Sequence, residues 1–167
     1  MERRVPSALA AYLNDHLAGS VAGIDLADTL TTAATRANDR EHALWLTDLR
    51  DALQSAQADL RAVMSRSHAN ETILKQVGAW AAERMTRVKL TLTTATEGSS
   101  LAWLDGLEAL ALGLQGQAAL WRALNATFPL DDPRRGSTDF GALEQRAQML
   151  FAEVDRARLA AAARAFS

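Results

Sequence analysis

Cysteine is missing from this 167-residue chain, which excludes thiol catalysis, cysteine-ligated zinc and any disulfide framework, and fits a reducing compartment. A chain of this length ordinarily forms one domain with a core of its own and needs no such staples. Proline is scarce: Pro6, Pro129 and Pro133 leave the stretch between them free of the residue that breaks helices. Lysine is confined to Lys75 and Lys89, and the arginines are dispersed among the acids. A net charge of -2 with no basic stripe argues against nucleic acid as a partner.

Long apolar runs are also lacking. The most hydrophobic stretch, Leu101 to Leu114, contains Asp105 and Glu108 and falls short of the roughly 20 apolar residues that cross a bilayer. The segment Met1 to Pro6 carries two arginines but leads into a helix interrupted by Asn14, Asp15 and His16, which is not a signal-peptide pattern. A cytoplasmic protein without a membrane association is expected. Catalytic signatures fail in the same way: there is no Gly-x-Ser-x-Gly elbow, no phosphate loop ending in Gly-Lys-Ser/Thr, and no Gly-x-Gly-x-x-Gly fingerprint.

What remains is rich in leucine and alanine and poor in valine and isoleucine, a helical composition. Ser7 is placed to cap a first helix whose inner stripe runs Ala10, Leu13, Leu17, Ser20, Ile24 and Ala27, fading near Thr35. Asn38 or Asp39 should cap a second, whose seam of Leu46, Leu49, Leu53, Ala56, Leu60 and Val63 is the clearest amphipathic stripe in the chain. A third is expected from Asn70 to Leu92. A fourth, capped by Ser99 or Ser100 and reaching Phe128, is apolar around most of its girth and should be central. After the linker Pro129 to Gly136, Ser137 or Thr138 should cap a fifth, with Leu143, Ala147, Leu150, Val154 and Ala157 inward.

Short connections between long helices make antiparallel neighbours, so the expected architecture is an all-α, up-down-up-down four-helix bundle over 1–128. A linker, 129–137, then leads to a C-terminal helix, 138–167, packed on the bundle or on a partner subunit.

The first chemical candidate is the polar insertion Asn14-Asp15-His16 in an apolar helix. His16 shares a stripe with Tyr12, Gly19 and Gly23, beside the apolar seam, and should be partly buried. Glu108 sits on a stripe with Leu104, Ala111 and Gln115 of the fourth helix, and a buried carboxylate there would recruit a cation. His16, Lys89 and Arg84 are the available partners. A polar cluster of Asp15, His16, Glu108, Lys89 and Arg84 that fixes helix register outweighs a ligand or catalytic role. Metal binding by His16 and Glu108 is the sharper alternative, but di-iron bundles are built from paired Glu-x-x-His motifs and this chain has none. His42 directly follows Glu41, His68 falls in a helix break, and Asp39, three before His42, is more useful as a cap.

Five glycines lie inside the predicted first and fourth helices: Gly19 and Gly23 on the first, Gly106, Gly113 and Gly116 on the fourth. Each costs up to about 1 kcal/mol relative to alanine, so a benefit elsewhere is implied. A close backbone contact between the two helices is the expected benefit, and gaps that admit a ligand or lipid are the rival. Trp103 and Trp121 belong to the inner stripe of the fourth helix, whereas Trp45 and Trp80 flank theirs, where an indole can join a subunit interface.

The segments Tyr12-Leu13-Asn14-Asp15-His16-Leu17-Ala18-Gly19, Gly78-Ala79-Trp80-Ala81-Ala82-Glu83 and Leu107-Glu108-Ala109-Leu110-Ala111-Leu112-Gly113 resemble a group of small bacterial helical-bundle proteins of uncharacterised activity. The resemblance covers roughly Ser7 to Leu124. It implies a bundle that is ferritin-like in the loose architectural sense and transfers no catalytic residue. The expectation is a non-enzymatic structural or partner-binding protein, a homodimer or bound to another protein, with no cofactor. The alternative is a ferritin-like binder of a metal or small ligand through a buried histidine and carboxylate cluster.

Overall fold

The computed structural model describes residues 8–69 and 100–167, and every described element is helical: α1 (Ala8–Arg36), α2 (Arg40–Arg66), α3 (Ser100–Thr127) and α4 (Phe140–Ala165). α3 and α4 are the fourth and fifth helices expected from the pattern, and the expected third, with Arg84 and Lys89, lies outside the described residues. At 26 to 29 residues each, the helices are about 40 Å long. None of the described helices is long and apolar enough to cross a membrane.

Local chemistry sets the ends. Asn38, in the left-handed region at φ 57°, turns the chain after α1, and the Asp39 N–H donates back to the Ala34 carbonyl at 2.9 Å. Asp39 is then the N-cap of α2, its Oδ1 accepting from the His42 N–H at 3.1 Å. The other end of α2 repeats the device: His68 has φ 53° and the Ala69 N–H donates to the Met64 carbonyl at 2.9 Å. The cap of α4 is Asp139, accepting from the Ala142 N–H at 3.0 Å, rather than the expected Ser137 or Thr138. Thr138 is otherwise engaged, its Oγ1 accepting from Arg66 at 2.7 Å.

Cross-helix contacts fix the directions. Arg50 meets Asp28 and Gln57 meets Ser20, so α1 and α2 are antiparallel. Arg122 meets Glu144 and Arg158 meets Glu108, so α3 and α4 are antiparallel too. α1 packs on α3, with Leu30 against Gly106 at one end and Leu13 in one cluster with Trp121 and Leu124 at the other. Arg146 of α4 donates to Ser55 of α2 at 3.3 Å.

The core has two lobes. One gathers Leu26, Leu30, Leu46, Leu107, Leu110 and Val154, and the other Leu13, Leu60, Val63, Trp121, Phe128 and Phe140. The stretch 129–137, expected as a linker, packs on the second lobe. Arg135, itself buried, donates to the Phe128 carbonyl at 2.9 Å and to Asn125 at 3.0 Å, and its guanidinium lies 4.9 Å from the centre of the Phe140 ring. Arg66 donates to the carbonyls of Arg134 and Arg135, tying this stretch to the end of α2.

Candidate functional site

A cavity of about 310 Å³ lies between α1 and α3 at the junction of the two core lobes. Its floor is Leu53, Ala56 and Leu60 of α2. Its walls are the glycines: Gly19 and Gly23 on one side, Gly113 and Gly116 on the other. A Cβ built on any of these four would meet no described atom within 4 Å. The close helix contact expected from them is therefore absent among the described residues. Gly106 differs, since a Cβ there would fall 2.9 Å from Leu30 Cδ2, a side-chain and not a backbone contact. At Gly106 the missing side chain makes room for Leu30 between the two helices.

The cavity is polarised along its length. Asp15, His16 and Gln117 line one end, with Leu120 and Trp121 beside them, and Leu26, Ala109 and Leu110 line the other. The separation of Asp15 and Leu26 along α1 corresponds to about 16 Å. Asp15 is exposed at the rim. His16 is half-buried, with its ring edge-on to Tyr12 at 4.6 Å between centroids. Burial holds the His16 imidazole below its usual value of 6.5 against a smaller upward pull from Asp15, so the ring is neutral at neutral pH.

The expected pairing of His16 with Glu108 does not form. With Leu30 opposite Gly106 and the helices antiparallel, Glu108 stands near the level of Asp28, about 18 Å along the axis from His16. Glu108 instead meets Arg158 of α4 at 3.7 Å, at a site where Arg158 also holds Asp155 at 2.7 Å. A polar layer does exist, but it joins other residues. Asn14 is buried and its Nδ2 donates to the Ala10 carbonyl at 2.8 Å within α1. Gln57, also buried, reaches from α2 to α1, its Nε2 donating to Ser20 Oγ at 2.9 Å while its Oε1 accepts from Arg61.

Among the described residues no group of three histidine or carboxylate side chains converges as a metal site. His42 Nδ1 lies 2.7 Å from Asp39 Oδ2 and its ring stands edge-on to Trp45 and Trp103 at 6.2 and 5.6 Å, so Asp39 caps the helix and orients the imidazole together. That backbone hydrogen bond from His42 is the main reason the Asp39 carboxyl is held below its ordinary value.

Sequence reasoning missed Gln57, Gln117, Arg66 and Arg135. Gln57 is legible in retrospect, lying one position from the Ala56 seam, whereas the arginines carry no local signal. Comparison with protein-family models, with curated proteins and with solved structures finds no match to this chain.

Proposed function

We propose that this chain is a non-enzymatic binding protein whose cavity between α1 and α3 receives a small, largely apolar molecule. The observation that carries this reading is the space before Gly19, Gly23, Gly113 and Gly116, where a Cβ would meet no described atom within 4 Å. Helix-interior glycine is unfavourable by about 1 kcal/mol each, and four of them with no described atom before them supply room instead of contact. A volume near 310 Å³, an apolar floor and a few polar groups at one end match the ordinary anatomy of a small-molecule pocket. The same reading places the pocket in the up-down-up-down bundle with a C-terminal helix that the hydrophobic pattern predicts. It is favoured over the metal alternative by the different levels at which His16 and Glu108 stand.

The test is titration of the full chain with N-phenyl-1-naphthylamine, an uncharged apolar fluorophore. A single saturable site is expected, abolished by Gly23→Leu combined with Gly113→Leu while circular dichroism and cooperative melting persist. Unsaturable or absent fluorescence enhancement, or an enhancement unchanged in the filled variant, would overturn the reading.

A further inference from the structure

The lining of the cavity bears on which molecules it admits, an inference that rests on the binding reading above. Of the described lining residues, Asp15 is the one formal charge, and no lysine or arginine joins it. Asp15 and Gln117 both line the cavity, and each presents a carboxylate or amide oxygen that can accept from a donor. His16, kept neutral by its burial, adds one ring nitrogen with a free lone pair rather than a positive charge. Ser20 adds nothing there, since its hydroxyl donates to the Leu17 carbonyl at 2.7 Å and accepts from Gln57. The remaining length, toward Leu26, Leu110 and Leu114, is hydrocarbon.

We propose that the cavity selects a single-chain amphiphile with a cationic head, the ammonium group sitting at the rim beside Asp15, His16 and Gln117 and the chain lying between the glycine walls. A carboxylate, sulfonate or phosphate head would meet Asp15 with no compensating cation among the described lining residues, which disfavours fatty acids and phospholipids. An ammonium head keeps its water on the outer side, as an amphipathic side chain does when its stem lies on apolar surface and its charge reaches solvent. Asp15 is exposed, so its contribution is that of a surface ion pair: a preference of about two- to fivefold over an uncharged head of equal chain length, weakened by salt.

Calorimetric titration of the full chain with dodecylamine, 1-dodecanol and dodecanoate separates the possibilities. All three are kept below their aggregation limits at pH 7.5 and low salt, where a primary amine is protonated. The expected order of affinity is ammonium, then alcohol, then carboxylate. Asp15→Asn should remove the advantage of the ammonium over the alcohol. Dodecanoate binding as tightly as the amine, or an ammonium preference that survives Asp15→Asn, would overturn the proposal. If the alcohol binds without any advantage for the amine, the pocket stands and the charge selection falls. If none of the three binds, both the selection and the binding function fall.

Discussion

Alanine in place of the helix-interior glycines gives opposite signs at positions that look alike in sequence. At Gly19 and Gly113 the added Cβ meets no described atom within 4 Å, so only the helix term changes, and each substitution should stabilise by about 1 kcal/mol. For a chain of this size that raises the melting temperature by about 2 to 4 °C. At Gly106 the Cβ would stand 2.9 Å from Leu30 Cδ2, and Leu30 is wholly buried and cannot swing into solvent. Overpacking of about 1 to 3 kcal/mol then opposes a helix gain of about 1 kcal/mol, leaving Gly106→Ala between neutral and about 2 kcal/mol destabilising. Urea unfolding followed at 222 nm reads the difference as opposite shifts of the midpoint at constant slope. A lowered midpoint in Gly19→Ala or Gly113→Ala would mean that the two helices meet there and that the cavity is not open. A raised midpoint in Gly106→Ala, equal to the others, would refute the seating of Leu30 in its notch.

His16 binds its proton more weakly in the folded chain than in the unfolded one, so the unfolded state gains protons first as pH falls. Stability should therefore drop below pH 6.5 until the lowered folded value is passed, and His16→Gln should flatten that part of a midpoint-versus-pH curve; an unaltered curve would show that the imidazole is not desolvated. Arg135→Ala removes charged hydrogen bonds to the Phe128 carbonyl and Asn125 and should cost about 2 to 4 kcal/mol by urea unfolding, with Arg135→Lys recovering little because an ammonium cannot bridge both acceptors. Asp39→Ala should cost about 1 to 2 kcal/mol through loss of the cap of α2, and Asp39→Ser should restore most of it, since a serine hydroxyl reaches the same N–H; equal losses would place the cost in the His42 ring contact instead.

Much of the fold was legible before any coordinates. The absence of proline between Pro6 and Pro129, the leucine stripe from Leu46 to Val63 and the acid at Asp39 are local properties, and they suffice for an all-helical chain with α2 capped where expected. The stripe of Leu143, Ala147 and Val154 likewise marks the inner face of α4. Its cap was misplaced because Ser137, Thr138 and Asp139 are all able caps, and Thr138 is taken by Arg66 from a helix 72 residues earlier in the chain.

The site was legible only in outline. The pattern marked the insertion at Asn14 to His16 and the unusual glycines, but not what stands opposite them. Periodicity tells which face of a helix turns inward; the register and separation of two axes depend on side chains far apart in sequence. Leu30 lodging at Gly106 sets the level at which α1 meets α3, and that level carries Glu108 away to Arg158 and leaves His16 at the mouth of an apolar cavity. The glycines thus announce that something unusual happens between the two helices, while only the spacing of the axes decides that it is a space and not a contact.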